Sequence, residues 1–173
     1  MPQGSLPATD ITRILIDEPE LLVHGWKNVI IFVWLGDAPA ELMRKLGPIF
    51  EAYAREVGSL SVVSVIRNVA ELPDESRRQA YKEFLVAHGA RFSHLVVVLE
   101  RDGFVGSAIR GLMTGLLLVT RQQHAIHVVS SLEEVADWLP DKHAAATGVL
   151  LDPRELSKVL QRACMEGSTR AHS

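Results

Sequence analysis

The sequence predicts an α/β fold: a mixed, mostly parallel sheet with crossover helices, followed by an additional C-terminal amphipathic helix. Three observations carry this. Short runs rich in β-branched residues, such as Val29-Ile30-Ile31-Phe32-Val33-Trp34-Leu35, show no polar alternation, so they read as strands buried on both faces. Segments with helical periodicity lie between them, as parallel strands require. A compact helix-start signature, Asp152-Pro153-Arg154-Glu155, follows the last of these units.

The chain begins with an arm, residues 1–10, that has neither a basic segment nor an apolar core. Ile11 to Asp17 and Leu21 to Gly25 are short strands around Glu18-Pro19-Glu20, and Trp26-Lys27-Asn28 turns into the buried run that starts at Val29. Gly36-Asp37-Ala38-Pro39 is a helix start with Asp37 as cap. The helix carries Leu42, Leu46, Ile49, Phe50, Tyr53 and Val57 on one face, Pro48 is expected to kink or break it near Gly47, and Gly58 closes it.

Leu60 to Ile66 is the next strand and Arg67 to Leu72 a loop. Pro73-Asp74-Glu75 opens a helix that turns Ala80, Tyr81, Phe84 and Leu85 inward and ends at His88-Gly89. The strands Leu95 to Leu99 and Ala125 to Val129 flank a central helical stretch from Asp102-Gly103 to Val119. In it Ser107, Gly111 and Gly115 recur every fourth residue, so one face is almost bare of side chains and suits close packing on the sheet or on a second subunit. Ser130 or Ser131 caps a further helix with Val135, Trp138 and Leu139 inward, and Pro140 is expected to stop it.

The domain thus spans residues 11–140, residues 141–151 form a linker, 152–166 the last helix and 167–173 a frayed tail. Leu156, Val159, Leu160 and Ala163 line one stripe of that last helix. The stripe either packs on its own domain or serves as a docking or oligomer helix.

Bulk properties narrow the function. The 173 residues carry 18 basic and 21 acidic side chains, a net charge of −3, with no long basic run; this argues against nucleic acid as a partner. No apolar run approaches the ~20 residues needed to span a bilayer. The single cysteine, Cys164, excludes an intrachain disulfide and fits a cytoplasmic setting. The seven histidines show no metal-ligand spacing, and no cofactor is expected. Gly103-Phe104-Val105-Gly106 lacks both the full dinucleotide fingerprint and a Walker lysine. No serine sits in a nucleophile elbow, so a non-enzymatic role is expected.

The element order, with the phrases GFVGSAIRGLMTGLLLV and HVVSSLEEVADWL, resembles the STAS fold of anti-sigma-factor antagonists, most of all its divergent bacterial members without an assigned activity. The resemblance covers roughly Ile11 to Leu139. It implies a regulatory or scaffolding module acting through protein–protein contacts, as a homo-oligomer with further protein partners. In antagonist STAS domains a phosphorylatable serine lies where the third strand feeds the second helix. Ser76 in Leu72-Pro73-Asp74-Glu75-Ser76-Arg77-Arg78 is the nearest hydroxyl here, although no glycine follows it. The alternative is a small-ligand-binding domain or enzyme with its site at the strand C-terminal ends. Asn68, Arg101 and Gly103, with Arg110 on the central helix, are the candidate contacts for a ligand or partner.

Overall fold

A computed structural model of the chain describes residues 12–67, 71–100, 104–120 and 126–170. Six strands form one sheet in chain order: β1 (Arg13–Glu18), β2 (Leu21–Trp26), β3 (Val29–Trp34), β4 (Leu60–Ile66), β5 (Phe92–Leu99) and β6 (Ile126–Val129). The first three pair antiparallel through tight turns, and β3 to β6 pair parallel. At the β2–β3 turn Lys27 has a left-handed backbone (φ 50°), a conformation that costs energy for a side chain with a Cβ. Three contacts hold it: its carbonyl accepts from Tyr53 Oη at 2.6 Å, its ammonium meets Glu155 at 3.1 Å, and the same ammonium lies 4.7 Å over the Trp26 ring.

Because each parallel strand is added on the same side of its predecessor, right-handed crossovers put all the connecting helices on one face. These are α1 (Ala40–Val57), α2 (Glu75–His88) and α3 (Phe104–Thr120). They cover Val23, Ile30, Phe32, Val62, Leu95 and Val97. After β6 the chain crosses over, and α4 (Leu132–Thr147) and α5 (Pro153–Arg170) cover the second face, where Leu22, Ile31, Val33, Val63, Val96 and Val98 point. With helices on both sides, the uninterrupted apolar runs of β3 to β5 are accounted for.

Several boundaries differ from the sequence expectation. Asp37 does not cap α1: Pro39 holds the N-cap position without a side-chain bond, and Asp37 instead meets Arg77 at 3.4 Å. α1 runs unbroken through Gly47-Pro48. β5 starts at Phe92, three residues early, so that His94 lies within it. Pro140 does not end its helix, and α4 continues through residues 141–147 of the expected linker before Gly148 closes it at φ 75°. One lost backbone donor is outweighed by the helix-forming Ala144-Ala145-Ala146 and by the anchoring of His143 described below. α5 reaches Arg170, so residues 167–170 of the expected tail are helical.

Candidate functional site

The two apolar helices that the sequence leaves without an assigned contact, α5 and α3, end in opposite environments. Asp152 caps α5, its carboxylate accepting from the amides of Arg154 (2.8 Å) and Glu155 (3.0 Å). The whole predicted stripe, Leu156, Val159, Leu160 and Ala163, is buried against the chain's own sheet and α4. Arg67 donates to the Cys164 carbonyl at 3.3 Å and to Ser168 Oγ at 3.0 Å, and a Cβ on Gly167 would sit 2.7 Å from Leu35 Cδ2. That surface is therefore occupied, and a docking role for it is corrected to a packing one.

α3 is the reverse. Ile109 reaches the core and Met113 packs on its edge, whereas Ser107, Gly111 and Gly115 face outward. A Cβ built on Gly111 or on Gly115 meets nothing within 4 Å. The bare face is thus not the seam by which α3 approaches the sheet. Leu118, one short turn further, is 77% exposed. Beside Gly111 and Gly115 a shallow groove of about 440 Å³ runs between α3 and α2, and its α2 wall is Glu75, Arg78, Gln79 and Lys82.

The other predicted contacts are dispersed. Ser76 is exposed in the first turn of α2, beside Asp74, whose carboxylate caps the helix by accepting from the Arg77 amide at 2.9 Å. That bond and the neighbouring guanidinium hold the Asp74 carboxyl below its ordinary pKa. Arg110 is half-buried on α3; Asn68, Arg101 and Gly103 lie outside the described residues.

Sequence reasoning missed a buried polar cluster at the N-terminal ends of β3, β4 and β5. His143 on α4 meets Ser61 Oγ through Nδ1 at 2.7 Å and Asn28 Oδ1 through Nε2 at 2.7 Å, and Ser61 meets Ser93 Oγ at 3.0 Å. Asn28 donates in turn to the Ser59 carbonyl at 3.0 Å. A neutral imidazole protonated on Nε2 satisfies every one of these bonds. Burial, with His94 nearby, lowers the His143 pKa to about 4. Serine, histidine and asparagine in series suggest nucleophilic chemistry. Here, however, Ser61 is wholly buried and its oxygen is engaged on two sides, so the cluster is a clamp between α4 and the sheet. No spacing rule finds it, because its members are far apart in the chain. Its only sequence signal is a histidine inside an apolar helical face.

His24 on β2 is also buried, below α5, with Glu166 at 3.4 Å; burial lowers its pKa while Glu166 opposes the shift. Among the described residues no group of three or more His, Cys, Asp or Glu is arranged to hold a metal ion, and no helix is long and apolar enough to cross a membrane. No family model, curated protein or solved structure matches this chain.

Proposed function

We propose that this protein is a non-enzymatic regulatory or scaffolding module that works through protein–protein contacts, with the outer face of α3 as its contact surface and a second copy of the chain as its first partner. The observation that carries this reading is the open space in front of Gly111 and Gly115, next to an exposed Leu118 on an otherwise apolar helix. Small residues at four-residue spacing let two helix backbones approach closely, and an exposed leucine beside them supplies area to bury. The flanking α2 wall carries both signs of charge, Glu75 against Arg78 and Lys82. A copy related by a two-fold axis therefore meets opposite charges at the rim of the same patch. The STAS resemblance supports the same role, and under it Ser76, on the α2 turn beside the groove, is the site at which a phosphate would switch the contact.

The test uses cysteine placement. Native Cys164 is buried, and burial pushes its thiol pKa up to about 11, so it stays out of thiol chemistry. A Gly111→Cys variant under mild oxidation is expected to form a covalent dimer at micromolar protein, while an exposed control on the far side, Arg162→Cys, stays monomeric. A Gly111→Cys chain that cross-links no more than the control contradicts the proposal.

A further inference from the structure

β4 carries two buried serines on opposite faces. Ser61 is saturated by the His143 cluster, and Ser64 is not. Ser64 is nine-tenths buried on the α1–α3 face, near the C-terminal end of the strand. Its oxygen accepts from Trp34 Nε1 at 2.8 Å, but its own O–H donates to no described group. Tyr81 on α2 stands edge-on to the Trp34 ring, centroids 5.8 Å apart, and brings a second hydroxyl to this side of the sheet. Burial raises the Tyr81 pKa, which keeps the phenol a neutral donor at ordinary pH.

Both groups border empty space. Two adjoining cavities of about 80 Å³ each lie between the sheet and α2–α3, and Trp34, Ser64, Tyr81 and Met113 belong to the walls of both. The inner one is otherwise lined by apolar side chains that include Phe32, Phe84 and Phe92; the outer one reaches Pro73 and Leu112 at the α2–α3 mouth. No wall residue carries a formal charge. Buried water needs two to four polar partners, and Ser64 and Tyr81 are the only wall residues with a side-chain hydroxyl, so water is poorly held and readily displaced. A ring-sized apolar molecule needs on the order of 150 Å³, about the two cavities together.

We infer that this slot is a binding site for an uncharged, ring-sized aromatic molecule bearing one carbonyl acceptor, which spans both cavities and receives its hydrogen bond at the Ser64–Tyr81 neck. The site goes beyond the contact role assigned to α3, although Leu112 and Met113 of α3 wall it from within.

Fluorine NMR titration of the full chain with 4-fluoroacetophenone and with 4-fluorocumene, its counterpart without the carbonyl, tests the inference. Saturable binding of both is expected, with the ketone tighter by roughly 5- to 10-fold, the worth of one net hydrogen bond. Ser64→Val, which removes the donor and keeps an apolar side chain, should bring the ketone down to the hydrocarbon's affinity or below. Met113→Trp, which fills the neck, should abolish binding of both. The absence of saturable binding to the wild type, or an unchanged affinity in whichever variant folds, overturns the site. Equal affinity for the two probes overturns the hydrogen bond at its neck.

Discussion

α5 and α3 are both helices with an apolar stripe, and they sit on opposite faces of the same sheet. α5 is fixed along its length: Asp152 caps it, Lys27 meets Glu155 at one end, Arg67 reaches Cys164 and Ser168 at the other, and Leu156 and Leu160 are fully buried between. Among the described side chains of α3, Ile109 reaches the core and Met113 packs on its edge, while Gly111 and Gly115 face outward. The difference teaches that an amphipathic pattern shows that a surface is to be buried but not which surface buries it. Lys27 and Arg67, which pin the two ends of α5, decide the matter for one helix, and no such pin is found among the described residues of α3.

If this contrast is right, truncation in α5 carries the largest penalty. Leu160→Ala should cost about 2–5 kcal/mol in urea unfolding, because it opens a cavity in a fully buried layer. Leu118→Ala on α3 should change stability by less than ~0.5 kcal/mol. A small loss at Leu160 would mean that α5 is not part of the core.

Next comes acid sensitivity on the α4–α5 face. His143 titrates at about 4 when folded and near 6.5 when unfolded, so between these values the unfolded chain binds the extra proton. Stability is thus fully present above pH 6.5 and falls as the pH drops toward 4, by about 3 kcal/mol in total from this residue. His143→Gln, monitored by chemical denaturation across that range, should flatten the curve. A slope as steep as the wild type's would assign the acid sensitivity elsewhere, with His24 the first alternative.

Gly167→Ala should carry a net cost of up to about 2 kcal/mol, because its Cβ would sit 2.7 Å from Leu35 Cδ2 and the packed Leu35 must shift, which outweighs the gain in helix propensity. Gly111→Ala should do the opposite and raise the melting temperature of the monomer. An alanine there meets open space and gains up to ~1 kcal/mol of helix propensity. Opposite signs for the same Gly→Ala change on the two helices would sharpen the comparison, and equal signs would break it.

Much of the fold was legible in the sequence. The β-branched runs located β3, β4, β6 and the C-terminal part of β5, and the lack of alternation in β3 required cover on both faces, which α1–α3 and α4–α5 supply. Pro140 misled because a proline's local cost is read from sequence, whereas the compensation is tertiary: His143, one turn on, reaches Asn28 and Ser61 across the sheet. The glycines of α3 were visible as a bare face, but their direction follows from Ile109 and Met113 facing inward, which only packing fixes. Ser64 and Ser61 look alike within Leu60-Ser61-Val62-Val63-Ser64. Strand alternation sends them to opposite faces, but nothing in the strand tells that Ser61 joins the His143 cluster while Ser64 meets, among the described residues, only Trp34.

The central claim, that the outer face of α3 is a contact surface between two copies, is tested most directly by sedimentation equilibrium of the wild type beside Gly111→Leu and Gly115→Leu. Leucine is a better helix former than glycine, and a Cβ at either position meets no described atom within 4 Å, so both variants should be at least as heat-stable as the wild type. The account predicts a concentration-dependent dimer for the wild type and monomers for both variants. A monomeric wild type at every concentration, or dimers that survive both substitutions unchanged, would contradict it.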